Sequence, residues 1–243
     1  MSWLQRSWHQ ATLAFPKYPR RRWLSPVFYG HYRTVLPLLR TYAHGALLDL
    51  GAGTAPFKDL AEPQATCYHT LDRREGLAAL TFRADIMDLA WIDPESYDTV
   101  LCLEVLEHLP DPQATLLQVH RILRPAGAVI LSVPHLSRLH DEPDDYFRFT
   151  RHGLSVLLAK AGFQVMSCQE TGGLATFLGH QVSGAIVSAV WPLPLAREIA
   201  LFLNGALVVL PSRFLDRLFS LQRAFASGYA LAAQKDGRKP GEP

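Results

Sequence analysis

The chain has 243 residues, with 24 Lys and Arg against 22 Asp and Glu, 49% apolar and 19% charged. That balance excludes a disordered chain or a coiled coil and is long enough to bury a sizeable core. The net charge of +2 conceals a segregation: residues 1–40 hold seven bases and no acid, residues 41–172 sum to −8, and residues 173–243 to +3. Cys67, Cys102 and Cys168 stand far apart with no Cys-x-x-Cys pair, so neither a disulfide framework nor a zinc site is expected, and a reducing cytoplasm fits.

At the start of the chain, Trp3, Gln5, Arg6, Trp8, His9 and Gln10 interrupt any apolar run, so the core of a secretory signal is not expected. Residues 1–40 read as a basic, aromatic leader. Such a segment either lies on an anionic membrane at the inner face, where each Lys or Arg is worth about 1 kcal/mol, or packs across the acidic middle of its own chain.

From Ala46 onward, short apolar runs alternate with longer patterns of helical period, the mark of β-α-β units and a parallel sheet. Strands are expected near Ala46–Leu50, Cys67–Leu71, Tyr97–Leu103, Ala128–Val133 and Phe163–Gln169, with a weaker one near Thr81–Ala84. Helices are expected over Pro112–Leu123 and Thr150–Ala161, each stopped by a Gly or Pro. Residues 41–173 therefore form the α/β domain.

After Gly172-Gly173 the chain is nearly uncharged as far as Leu210, broken by Pro192, Pro194 and Pro211. His180 and Gln181 interrupt one run and Arg197, Glu198 and Asn204 the next, so neither reaches the roughly 20 apolar residues of a bilayer span. Ser212 to Phe225 follows as an amphipathic helix capped by Ser212. Residues 174–227 read as a helical, apolar insertion that covers the sheet, forms a homodimer interface or touches a membrane. Residues 228–235 return as a last strand, and 236–243 form a polar, disordered tail.

The strongest local signal is Leu47-Leu48-Asp49-Leu50-Gly51-Ala52-Gly53-Thr54-Ala55. It is an apolar strand running into a glycine turn, where a side chain would keep a ligand from the backbone. Asp72 closes the second strand 21 residues after Gly51, where a carboxylate can accept from both hydroxyls of a ribose. Pro56 occupies the third site of a dinucleotide turn and lacks an N–H, which disfavours a pyrophosphate and with it a nicotinamide dinucleotide. Asp49 would repel phosphate and suits a ligand bearing an ammonium and a sulfonium.

On these residues the chain resembles the class I S-adenosylmethionine-dependent methyltransferases, of the small-molecule branch that includes the ubiquinone and menaquinone enzymes. The resemblance runs from about Leu47 to Gln169. It implies a Rossmann-like, doubly wound seven-stranded α/β sheet in the order 3-2-1-4-5-7-6, the last strand antiparallel, and S-adenosyl-L-methionine as cofactor. It places the methionine part at Asp49, Gly51 and Gly53, the ribose at Asp72, the adenine amino group at Asp85 and its ring against Ile86. Tyr97 to Pro112, with Leu103-Glu104-Val105-Leu106-Glu107-His108 at its centre, resembles the fourth strand and following loop, so Leu103 and Glu104 would line the cofactor cleft. Ala55 stands where many members have a third glycine.

Methyl transfer from a sulfonium asks mainly for alignment and exclusion of water, and a hydroxyl nucleophile gains from a base near neutral pKa. His108, His135 and His140 are the candidate bases; no metal ligands are expected. Pro134 to Thr150 resembles the substrate-side segment of methyltransferases of bacterial surface-glycan synthesis. The apolar insertion favours a hydrophobic acceptor and that segment a sugar, and a lipid-linked glycan satisfies both, with O-methylation the expected reaction. A non-catalytic, membrane-associated binding module of the same fold is the alternative. Nucleic acid is disfavoured, because Leu103-Glu104-Val105 replaces the Asn-Pro-Pro-Tyr type motif of amino-group methyltransferases.

Overall fold

In a computed structural model, which describes residues 3–14, 18, 20–77 and 80–237, seven strands form one sheet. They are β1 (Gly45–Leu50), β2 (Ala65–Asp72), β3 (Phe82–Arg83), β4 (Tyr97–Leu103), β5 (Leu123–Pro134), β6 (Phe163–Glu170) and β7 (Gly228–Lys235). Their order is β3-β2-β1-β4-β5-β7-β6, with β7 antiparallel. β1 pairs in parallel with β2 and β4, β2 with β3, and β4 with β5. A parallel sheet buried on both faces needs strands that are apolar on both faces. Leu47, Leu48 and Leu50 on β1, Val100 and Leu101 on β4 and Val129, Ile130 and Leu131 on β5 are accordingly all fully buried.

The chain divides into two compact units, one of Val35–Gln169 with Tyr229–Pro243, the other of Met1–Thr34 with Glu170–Gly228. In the first, the part of α2 (Pro26–Tyr42) from Val35 onward leads into β1, and the four-residue α3 (Lys58–Ala61) precedes β2. Helix α4 (Pro112–Ile122) starts where Asp111 accepts from the Ala114 N–H, with Pro112 as its first residue. Helix α5 (Arg151–Lys160) starts where Thr150 Oγ1 accepts from the Gly153 N–H at 3.0 Å. Both are side-chain caps on otherwise bare helical N–H groups. The parallel strands carry their carboxyl ends to one edge, where Gly51, Asp72 and Glu104 follow or close β1, β2 and β4. That is where open α/β sheets bind ligands.

In the second unit, α1 (Trp3–Ala14) packs on α6 (Leu174–Val190), and the Ser7 hydroxyl donates to the Ser188 carbonyl. Ala11, Leu24, Val187, Trp191 and Leu201 form the core between them. The leader thus has an apolar surface of the insertion as a packing partner. Helix α7 (Pro194–Asn204), a π-helical turn at Gly205–Val209 and α8 (Leu210–Leu218) run on without a break, and α9 (Leu221–Ala224) follows. The resulting helix of 25 residues passes for a membrane span by length and composition alone, where the sequence suggested one interrupted run followed by a separate helix from Ser212. Pro211 does not end it. The wide π turn immediately before supplies the room that a proline ring denies a regular helix.

One expectation for this region needs correction. Ser212 is the third residue of α8 and caps nothing. The rotation of α8 also places Ser212 and Asp216 inward while Phe214, Leu215, Leu218 and Phe219 are exposed. The reason lies at the start of α6, whose bare N–H groups need an acceptor. Asp216 takes the N–H groups of Gly173, Ala175 and Thr176 at 2.8, 2.9 and 3.1 Å. Of the tail expected from 236, residues 238–243 lie outside those described.

Candidate functional site

Gly51 has φ +65° and donates its N–H to the Leu71 carbonyl at 2.8 Å, which folds the turn after β1 back against β2. A Cβ there would come within 2.5 Å of Val105 Cγ2, so both conformation and space demand glycine. Gly53 also has positive φ and donates its N–H to Asp72 Oδ2 at 2.9 Å. Asp72, nearly fully buried, takes three further bonds from Arg74: its backbone N–H and Nε to Oδ1, at 2.9 and 3.1 Å, and Nη2 to Oδ2 at 3.0 Å. Burial raises the Asp72 pKa, but the hydrogen bonds from Arg74 and Gly53 outweigh it and hold the carboxyl below its ordinary range. Four donors saturate a carboxylate. A ribose diol can bind here only if the half-exposed Arg74 guanidinium gives way.

Asp49 lies deeper. It is buried, and the Tyr68 hydroxyl donates to it at 2.5 Å. Burial pushes its pKa up to about 7, the Tyr68 bond opposes that rise and the charge of Asp72 adds to it.

A cleft of about 340 Å³ opens at these strand tips, lined by Gly51, Asp72, Arg73, Arg74, Asp85, Ile86, Glu104, Val105, His108, Leu109, Asp141 and Asp144. Six residues singled out in the sequence therefore line one hollow: Gly51, Asp72, Asp85, Ile86, Glu104 and His108. Asp49, Gly53, Leu103, His135 and His140 are not on its wall. Asp85 Oδ1 accepts from the Met87 N–H at 2.9 Å. Glu104 has φ +56°, a conformation that costs a non-glycine residue energy and that marks functional turns. His135 follows β5, stacks near Tyr229 with ring centroids 5.7 Å apart, and has a buried Nδ1 without a hydrogen-bond partner among the described residues.

Beside the cleft stands a group that sequence reasoning missed. Glu107, in the single 3₁₀ turn Leu106–His108, is fully buried, and neither of its carboxyl oxygens has a hydrogen-bond partner among the described residues. Its Oε1 lies 3.7 Å from His108 Nε2 and 3.9 Å from His140 Nε2. Burial first, and the charge of Glu104 second, push its pKa well above the ordinary carboxyl value.

His108 Nδ1 is 2.5 Å from the Asp144 carbonyl. A carbonyl only accepts, so Nδ1 carries the hydrogen and Nε2 the lone pair. The His140 pKa is lowered, chiefly by burial; Asp145 opposes the shift and His108 reinforces it. Asp145 is fixed by a two-pronged ion pair with Arg148, at 2.6 and 2.7 Å, and accepts the His140 N–H at 2.9 Å. One ligand atom from each of Glu107, His108 and His140 lies within 4.8 Å of the others, a spacing too long for a direct hydrogen bond but open to one small cation. The adjacent Glu-His pair after β4 was the legible sign. Its partner His140 comes from a loop 32 residues on, and only folding brings it there.

A family model described as a methyltransferase domain matches residues 20–167. The chain belongs to that family. Over shorter stretches it is similar to ubiquinone biosynthesis O-methyltransferases: that of Pseudomonas syringae pv. tomato is 49% identical over 45 residues, 18% of this chain and 19% of that protein. That of Xanthomonas campestris pv. campestris is 36% identical over 88 residues, 36% of each chain. The matches thus span about a third or less of those curated relatives. Among solved structures, a 1,6-didemethyltoxoflavin-N1-methyltransferase of Burkholderia thailandensis, bound to its substrate and S-adenosylhomocysteine, aligns with a TM-score of 0.55 at 16% identity, over 85% of this chain and 78% of that one. This likeness establishes the methyltransferase fold.

Proposed function

We propose that this methyltransferase uses S-adenosyl-L-methionine to methylate an oxygen of a small-molecule acceptor. The observation that carries the reading is the cleft in which Gly51, Asp72, Asp85 and Ile86 meet beside the buried Glu107 and the half-buried His108 and His140. The residues fit the cofactor. Gly51 leaves the backbone bare, Asp72 supplies an ionised acceptor for a ribose diol once Arg74 withdraws, Asp85 offers a carboxylate for an amino group and Ile86 an apolar surface. Asp49, behind the turn, would offer a carboxylate to the methionine ammonium, whose positive charge would favour the ionised form of an acid that burial pushes up to about 7. Bound there, the cofactor supplies an activated methyl group on sulfur.

The protein's part is to position and to move a proton. His108 and His140 each turn an Nε2 towards Glu107, and both rings are suited to accept a hydroxyl proton near neutral pH. Burial of Glu107 disfavours its charged form, which weakens the pull that would keep the histidines protonated. The partial likeness to ubiquinone O-methyltransferases supports oxygen as the atom methylated, and a hydrophobic or lipid-linked glycan acceptor is the finer form of the proposal, with a cytoplasmic location.

Calorimetry with S-adenosylhomocysteine tests the cofactor site. The wild type should bind, and Gly51→Ala and Asp72→Asn should each weaken binding by about tenfold or more. Wild-type protein that does not bind, or variants that bind unchanged, would remove the enzymatic reading and leave the non-catalytic binding module. Mass spectrometry of cell extract incubated with isotopically labelled cofactor then reads the acceptor, and label found only on nitrogen or carbon refutes O-methylation.

A further inference from the structure

The longest helix of the second unit buries polar side chains as well as Leu201 and Val209 and turns most of its large apolar side chains outward. Along Pro194–Leu218, Asn204 and Asp216 are 3% and 2% exposed, whereas Leu195, Phe202 and Leu207 are 77%, 76% and 70% exposed. Polar groups are satisfied inside: the Ser183 hydroxyl donates to Asn204 Oδ1 at 2.7 Å, Asn204 Nδ2 donates to the Trp23 carbonyl at 2.9 Å, and Asp216 caps α6. A protein surrounded by water arranges such a helix the other way round. Packing polar side chains between helices and turning leucine and phenylalanine outward is the arrangement of helices surrounded by lipid.

Charge identifies the occupant. This unit holds ten Lys and Arg against three acids, Glu170, Glu198 and Asp216. Asp216 is buried in its capping role, and Glu198 is paired with Arg20 and Arg197. Two such faces pressed together would bring like charges together, while an anionic bilayer complements them.

We infer that Pro194–Leu218 lies in the plane of an anionic membrane surface, its outward leucine and phenylalanine side chains among the acyl chains and the exposed Arg20, Arg22, Arg217 and Arg223 of the same unit at the level of the phosphates. Lying flat is favoured over crossing. Between Glu198 and Arg213 the helix has only about 14 uncharged residues, roughly 21 Å, against the roughly 30 Å of a hydrocarbon core. The Arg20–Glu198 pair at one end and Arg217 at the other then stay at the interface, while Arg213 turns inward and donates to the Thr171 carbonyl at 2.8 Å.

Flotation of the full chain with vesicles of phosphatidylglycerol and phosphatidylcholine, and with phosphatidylcholine alone, tests this. The wild type should float with the anionic vesicles, less so in high salt, and about tenfold less with the neutral ones. The variant Leu195→Gln, Phe202→Gln and Leu207→Gln changes only exposed positions. With its fold checked by circular dichroism, it should partition at least about tenfold more weakly. A Phe202→Trp protein should lose more fluorescence to brominated acyl chains than the wild type does. Wild type that stays in solution, a triple variant that floats as well, or an added indole signal untouched by the bromolipid each overturns the inference. So does a stable dimer that the triple substitution dissolves and that never floats. Binding of S-adenosylhomocysteine, measured on the same samples, should be equal in wild type and triple variant, which lets the membrane and cofactor readings fail separately.

Discussion

Replacing Asp49 by Asn separates the electrostatic cost of this buried acid from its packing. Asp49 is 5% exposed and its pKa is pushed up from 3.8 to about 7, first by burial. A rise of about three units at roughly 1.4 kcal/mol each corresponds to about 4 kcal/mol. The sign follows from proton linkage: the folded state holds the proton more tightly than the unfolded chain, so this contribution to stability is complete below pH 3.8, declines as pH rises and is gone above about 7. Asn has nearly the same shape and no charge to desolvate. The unfolding free energy of Asp49→Asn minus that of the wild type should therefore climb by up to about 4 kcal/mol between pH 4 and pH 8. Any fixed cost of losing the Tyr68 bond shifts the whole difference without tilting it. Urea unfolding of both proteins across that range gives the tilt, and carbon NMR of the Asp49 carboxyl gives the titration directly. Parallel stability curves, or a carboxyl that titrates near 4, would refute the reasoning.

Two further outcomes follow from the same structure. Asp216→Ala strips the acceptor from three N–H groups at the start of α6 and should cost about 2–4 kcal/mol, with Asp216→Asn losing less. Thermal unfolding that barely moves in the alanine variant would contradict the capping role. His140, its pKa lowered chiefly by burial, should titrate below 6.5 in a histidine NMR experiment, its signal assigned by its loss in His140→Gln. Because folding disfavours its charged form, it should cost stability as pH falls below 6.5 and none above. A midpoint at or above 6.5 would show that Asp145 outweighs the burial.

Strand and turn chemistry made the sheet legible from the chain alone. Apolar runs of strand length, separated by helical periods, specify a parallel sheet because each run must be buried on both sides. Gly51, Gly53 and Asp72 could be placed at strand tips because positive φ and a carboxylate at a strand end are local requirements. That Gly51 and Asp72 share one cleft with Asp85, Ile86 and Glu104 follows from strand order. The grip of Arg74 on Asp72, the burial of Asp49 behind Tyr68 and the meeting of Glu107 with His140 are properties of side chains brought together over long sequence distances, and spacing carries no record of them. The same division holds for the insertion. Its sequence shows that the segment is apolar, and a hydrophobic pattern cannot say which side faces out. That was decided by the bare N–H groups at the start of α6, which draw Asp216 inward and so turn the leucines and phenylalanines of Pro194–Leu218 to the surface.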